Sequence, residues 1–178
     1  ISYGLDYSER LIKAERVDEA KDILKRIISK DPTSKLAYQK LGKVSWKTDD
    51  LDEAASAYES LFKIDPRDGR VAISISDIYI DSENYGKALR WADKSINLID
   101  NNGNGYGQKG KVYYKAWESL KKNPLSVDDR IVAKLAYDNF TKAEKMSYRG
   151  FNRLKYLKEN SKDLLYGKAQ WFMAENKV

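Results

Sequence analysis

Apolar residues return every three or four positions along most of this chain, the spacing that gathers them on one face of a helix. Ala20, Ile23, Leu24, Ile27 and Ile28 form such a face over Val17 to Lys30, which Pro32 ends. The same pattern predicts helices from Lys35 to Lys47 and from Leu51 to Ile64, the latter with Asp49 or Asp50 as its N-cap. Helices of three to four turns draw their stability from burying one face against a neighbour. The expectation is therefore an all-α fold in which short amphipathic helices pack in pairs.

The pairs repeat. Lys35 to Asp68 can be laid over its neighbours with a shift of 34 residues and no gap: Ala20, Ala54 and Ala88 align, as do Leu24, Tyr58 and Ala92, and Pro32, Pro66 and Asp100. A period of about 34 is the mark of stacked helical hairpins. Within this block Tyr38, Leu41, Gly42, Ala54, Tyr58, Leu61 and Pro66 stand at signature positions of the tetratricopeptide repeat, which the block resembles. Two positions depart from it: Tyr38 stands where Trp is commoner, and Ser45 where an aromatic is usual. The resemblance implies an α-α superhelix, a right-handed solenoid of about four repeats closed by a C-terminal capping helix.

Laid out in copies, the chain reads as a single domain over 1–178, with repeats at 1–34, 35–68, 69–102 and 103–150 and a cap at 151–178. In the first copy Gly4, Tyr7, Ser8 and Leu11 fill the signature places of the first helix. The third keeps Ile75, Tyr79, Ala88 and a small Ser95 but puts Ser76 in place of the signature Gly. Asn101 to Gly105 is the most turn-prone stretch and the expected soft joint. In the fourth copy, helix A is marked by Tyr106, Gly110 and Tyr113, yet the next signature Ala, Ala136, comes 23 residues after Tyr113 where the spacing from Ser45 to Ala54 is nine. The excess of 14 is close to four helical turns and predicts two extra turns on each helix. Ala116, Trp117 and Leu120 extend the first stripe, Asn123 and Pro124 interrupt it, and Ile131, Val132 and Leu135 start the second early, so this hairpin is expected to project. Phe140, Ala143 and Met146 finish it; Phe151, Leu154 and Leu157 predict a fifth helix A. Leu164, Leu165, Trp171, Phe172 and Met173 are apolar enough to dock as a cap.

Composition narrows the chemistry. With no Cys there are no disulfides, thiolate nucleophiles or thiolate metal sites, and with no His the commonest general base and zinc ligand are missing. No catalytic residue, cofactor or metal site is predicted. No apolar run approaches a membrane span, so the protein is expected to be soluble without membrane insertion, in the cytoplasm or a bacterial periplasm or envelope. It opens without Met and inside a repeat, which suggests a piece of a longer chain. Residues 105 to 160 are similar to uncharacterised bacterial repeat proteins of the same family. Of 33 Lys/Arg and 27 Asp/Glu, 16 and 8 lie from Gly103 onward, leaving the first 102 residues at a net −2 against +8 for the rest. That imbalance points to an acidic partner surface for the second half.

In the family, the inner wall of the superhelix is lined by helix A at repeat positions 2, 5, 6, 9, 12 and 13. Position 12 is apolar throughout, as Ile12, Trp46, Ile80 and Tyr114; position 9 holds Glu9, Lys43, Asp77 and Lys111, and position 13 holds Lys13, Lys47, Asp81 and Lys115. With Gln39, Lys40 and Gln108 at positions 5 and 6, these residues predict an apolar floor with charged walls, suited to an extended or helical peptide. The family's carboxylate clamp, which uses Lys and Asn, is departed from: Lys43 replaces its Asn, and positions 6 and 9 of the first three copies carry none.

Two other patterns are weighed against this. Gly105, Gly107 and Gly110 satisfy the dinucleotide-binding glycine pattern, but that pattern works only between a strand and a helix, and Gly110 is already the close-packing glycine of the repeat. Lys109, Lys111, Lys115, Lys121 and Lys122 with Tyr113, Tyr114 and Trp117 form a basic, aromatic stripe of the kind that holds nucleic acid. Glu118, Asp128, Asp129 and Asp138 interrupt it, so nucleic acid is disfavoured. The function expected is a non-catalytic scaffold that binds a partner protein or peptide of acidic character and no small-molecule substrate. The alternative is a substrate-recruiting part of a larger enzyme or of a secretion or envelope machine.

Overall fold

The computed structural model describes residues 2–98, 103–149 and 151–165, and among these every regular element is a helix. In order they are α1 (Ser2–Lys13), α2 (Val17–Lys30), α3 (Lys35–Lys47), α4 (Leu51–Ile64), α5 (Gly69–Asp81), α6 (Tyr85–Leu98), α7 (Asn104–Leu120), α8 (Val127–Lys145), α9 (Phe151–Glu159) and α10 (Ser161–Leu164). The bounds of α2, α3 and α4 are those the apolar spacing predicts. Asp50, not Asp49, caps α4 by accepting from the Glu53 amide.

Asp49 has a different task. It takes a left-handed backbone at φ 60°, as do Glu15 at 59° and Glu83 at 55°, so the turn from helix A to helix B is made at the same repeat position in three copies. A non-glycine residue there is strained, and its recurrence at intervals of 34 shows the repeat in the backbone as well as in the side chains. The signature alanines Ala20, Ala54, Ala88 and Ala136 are all fully buried.

Two compact units divide the chain, Ile1–Ser82 and Glu83–Val178. The division falls within the third copy, between α5 and α6, and not at the expected joint. Of that stretch, Asn101 and Asn102 lie outside the described residues, while Asn104 and Gly105 already belong to α7.

The first unit is the regular one. Leu5, Leu24, Ile27, Ala37, Leu41, Val44 and Ala57 form a continuous core across α1 to α4. A Cβ on Gly42 would lie 2.6 Å from the Tyr58 ring, so glycine lets the aromatic of helix B press against helix A. The first copy solves the same crossing with a fully buried Ser8, whose hydroxyl donates to the Leu5 carbonyl, and an aliphatic Leu24.

The second unit is the elongated one. Trp117, Ala133, Ala136, Phe140, Leu154, Leu157, Leu164 and Leu165 make its core. A Cβ on Gly110 would lie 2.8 Å from the Phe140 ring, reproducing the pair of Gly42 and Tyr58 and fixing the alignment across the 14-residue insertion. The insertion is distributed differently from the expectation of two turns per helix. α7 runs five residues past Lys115, α8 begins six before Ala133, and the connection takes the other three. Ser126 and Asp129 form a reciprocal capping box that starts α8 early. α9 supplies the expected fifth helix A, with Leu154 and Leu157 buried, and Leu164 and Leu165 cover the same core through α10. Trp171, Phe172 and Met173 lie outside the described residues.

The three glycines of the nucleotide-like pattern all sit inside α7. A Cβ on Gly105 would strike the Ile96 backbone at 2.8 Å and one on Gly107 the Tyr148 ring at 2.6 Å. Close packing against these neighbours accounts for each of them.

Candidate protein-interaction face

Of the predicted wall residues, eleven lie in the first unit. α3 presents Gln39, Lys43 and Lys47 one turn apart, all exposed. Between them Trp46 is half-buried, and its indole N–H donates to the Asp81 carboxylate on α5 at 2.8 Å. Lys40 is half-buried and reaches back to Glu9 on α1 at 2.9 Å; Glu9 also receives Lys13 at 3.4 Å. The hydrogen bond and charge of Lys40, then those of Lys13, hold the Glu9 carboxyl below the usual range. Helix A of the second copy is thus tied to those of the first and third through polar side chains.

Those ties separate the lysines into two classes. Lys40 is neutralised by Glu9, whereas Lys43 and Lys47 have no ion pair among the described residues and stand in water beside the indole. Asp77 is half-buried. Leu36, on the same helix at repeat position 2, is exposed at 46% and adds an apolar end to the row. Ile80 corrects the expectation of an open floor, because at 5% exposure it belongs to the interior.

In the second unit the prediction fares differently. Gln108 is 5% exposed and packs inside, so it is not a wall residue. Tyr114 is half-buried in a ring cluster, edge-on to Tyr156 of α9 at 6.4 Å and tilted against Trp117 at 5.7 Å, with Arg153 over its face at 5.8 Å. The fifth helix covers the position that an open groove would expose. Burial first, then Glu118 and Tyr156, push the Tyr114 hydroxyl up. Lys115 is paired with Glu118 at 2.6 Å, and Lys111 is half-buried. Trp117, expected near the tip of a projecting hairpin, is 2% exposed in the core, with the Lys121 ammonium 4.2 Å from its ring centre; Leu120 alone of that pair is on the surface.

The basic stripe is broken by the same packing. Lys109 stands at the repeat position held by Leu41 and Ile75, and its ammonium pairs with Asp93 of α6 at 2.7 Å. With Lys115 on Glu118 and Lys121 on Trp117, no run of free cations is left along α7 among these residues.

One cluster escaped the sequence reading. Lys21 of α2 is nearly buried and bridges Asp50 and Glu53 of α4, each at 2.9 Å. Glu53 also receives Lys25 at 2.6 Å and the hydroxyl of fully buried Ser45 at 2.7 Å. Burial pushes the Glu53 carboxyl up, but the hydrogen bonds from Lys25, Ser45 and Lys21 outweigh it and hold it at about 2. Lys21 shows the same balance: burial lowers its pKa, and the hydrogen bonds to Glu53 and Asp50 raise it further. The signal was Ser45 itself, which stands in an aromatic's place because a polar crossing occupies the space. The third copy keeps the aromatic and uses its hydroxyl, Tyr79 donating to Glu59 at 2.8 Å.

No group of three or more acidic side chains among the described residues is placed to hold a metal ion, and none of their helices is long and apolar enough to cross a membrane.

The family model for the tetratricopeptide repeat matches residues 36–68. The crystal structure of MamA is similar over 81% of this chain and 76% of its own, at 18% identity and a TM-score of 0.63. YrrB, described as a TPR protein with an unusual peptide-binding site, is similar over 88% of this chain and 90% of its own, at 12% identity and a TM-score of 0.51. An O-GlcNAc transferase from Thermobaculum terrenum matches 79% of this chain with 26% of its own length, at 12% identity and a TM-score of 0.51. No curated protein matches the sequence. Residues 36–68 are a tetratricopeptide repeat, and the helices described around them have the fold of tetratricopeptide-repeat proteins.

Proposed function

We propose that this chain is a non-catalytic interaction scaffold whose first unit holds an acidic peptide segment or partner helix along Gln39, Lys43, Trp46, Lys47 and Asp81. The observation that carries the reading is the pair Lys43 and Lys47. Neighbouring charges of this face have partners within the protein, while these two cations flank an indole held in place by Asp81. An aromatic anchor with adjacent unpaired charge is the arrangement from which interfaces draw affinity and register. YrrB, a protein of the same fold described as having an unusual peptide-binding site, is consistent with such a role.

The test is selection of binding peptides from a random library, followed by titration against variants. Lys43→Glu/Lys47→Glu is expected to weaken acidic peptides tenfold or more, because attraction becomes repulsion in a partly desolvated contact. Its melting temperature should stay nearly constant, since exposed charges contribute about 0–1 kcal/mol to folding. Trp46→Ala should cost about 2 kcal/mol of binding. Undiminished binding by both variants would remove this face from consideration.

A second reading has one observation in its favour. The transferase from Thermobaculum terrenum matches through only 26% of its length, so this fold also occurs as part of an enzyme. On that reading the same face recruits a substrate for a catalytic domain elsewhere in a longer chain, and the full-length reading frame decides between the two.

A further inference from the structure

α6 lies in mid-chain, between α5 and α7, and its outer side departs from the repeat. Ala88, Ala92 and Ser95 turn inward and are buried. Lys87, Arg90 and Lys94 are exposed on the opposite side, with Trp91 half-buried among them. Where Lys87 and Arg90 stand, the first copy has Glu19 and Asp22, the second Glu53 and Ser56, and the fourth Leu135 and Asp138. The hairpins of those copies close without cations there, so the packing of the repeat does not call for them. Asp93, the one acid of this helix, is paired with Lys109 of α7 at 2.7 Å, which leaves the outer stripe cationic over two turns.

The chemistry of this face selects its occupant. The Lys94 ammonium sits 4.3 Å from the centre of the Trp91 ring, an attraction that restrains a long side chain before anything binds. With that ammonium over its face, the ring is a poor platform for stacked bases. A lipid surface is no better served, because the apolar residues of the stripe, Trp91 and Leu98, are both half-buried and leave little to insert. Arg and Trp side by side are, by contrast, residue types on which protein interfaces concentrate their binding energy. We infer that the outer face of α6 is a second interaction surface, which docks an acidic amphipathic helix of another protein. Cations at spacings of three and four residues face carboxylates at the same spacings on the partner, and an apolar side chain between them meets the exposed part of the indole. The surface shares no residue with the face proposed on α3, and neither depends on the other.

The experiment titrates a labelled, Ala-rich helical peptide, with Glu at three positions spaced as Lys87, Arg90 and Lys94 are and Leu beside the second, and reads binding by fluorescence anisotropy. It is run on the Lys43→Glu/Lys47→Glu protein, so that the face on α3 does not contribute and a failure there is not mistaken for a failure here. Saturable binding is expected below about 1 mM. Arg90→Glu/Lys94→Glu should weaken it about tenfold or more at unchanged helicity and melting temperature, since both side chains are exposed. A peptide with Lys in place of Glu should bind that reversed variant and not its parent, an exchange that a non-specific surface does not show. Absence of saturable binding, or binding indifferent to the reversal, overturns the proposal. Capture of phosphatidylserine vesicles or of a single-stranded oligonucleotide in place of the peptide, lost on the same reversal, overturns it as well.

Discussion

The two units solve the same packing problem with different chemistry. In Ile1–Ser82 the hairpins are of standard length and are joined across copies by ion pairs and hydrogen bonds: Lys21 to Asp50 and Glu53, Lys40 to Glu9, Trp46 to Asp81. In Glu83–Val178 two long helices close over an aromatic and aliphatic core of Trp117, Phe140, Leu154 and Leu157, with Tyr114 and Tyr156 edge-on at its margin. What the difference teaches is that a repeat tolerates either solution provided the small residue at the helix crossing is kept. Gly42 against Tyr58 and Gly110 against Phe140 are the same contact in both units.

The largest expected effect tests that shared crossing. Ala54→Trp and Ala136→Trp each force an indole into a fully buried site without space. Overpacking usually costs about 1–3 kcal/mol and sometimes more, and a whole bicyclic ring should exceed the upper end. Circular dichroism should show loss of the cooperative melting transition in both variants. A melting temperature unchanged by Ala136→Trp alone would mean that the alignment of the elongated hairpin is wrong.

A smaller effect separates the units by pH. The Glu53 carboxyl is held at about 2 against an ordinary 4.5, so its contribution is fully present above about pH 4.5 and is lost as the pH falls from there toward 2. Lys21 has the opposite sign: its raised pKa supplies stability below its ordinary 10.5, which is lost as the pH climbs through the folded value. Both groups are charged on the plateau between. After solvent screening, the network's carboxylate is worth on the order of 2 kcal/mol. Glu53→Gln should therefore lower stability by about that amount in urea titrations at pH 6, and the gap between wild type and variant should narrow steadily below about pH 4.5 and close only as the pH passes below about 2. A gap that persists unchanged in acid would show that the glutamate contributes through packing rather than charge.

The smallest effect concerns a place where the second unit borrows the chemistry of the first. Lys109 occupies a position held by Leu41 and Ile75, with its ammonium on a half-exposed Asp93. Replacing a part-buried ion pair by a well-packed apolar side chain is often neutral or stabilising. Lys109→Leu should accordingly shift stability by no more than about 1 kcal/mol, upward if at all, measured by chemical denaturation. A loss of several kcal/mol would place this pair beside the Lys21 network as a structural requirement.

The sequence by itself determined the helices and their pairing. A period of 34 in small and apolar residues is enough, because each signature residue meets a partner at a fixed offset within its own hairpin: Gly42 needs Tyr58, and Ala20, Ala54 and Ala88 need only a close crossing. The ends of α2, α3 and α4 were legible for the same local reason, since proline, caps and the end of an apolar stripe act within a turn. The tertiary structure decided whatever depends on a neighbouring hairpin. Ile80 and Gln108 were placed on the wall by their repeat position but are buried, and Tyr114 is covered by α9, which the repeat pattern does not weigh. The insertion's 14 residues were countable, but their division among two helices and a connection was settled by the capping box of Ser126 and Asp129. Lys21 reads as an ordinary surface lysine until Ser45, Asp50 and Glu53 are brought around it by packing. Burial and charge pairing are properties of what a side chain faces, and along a repeat that is set by residues a whole copy away.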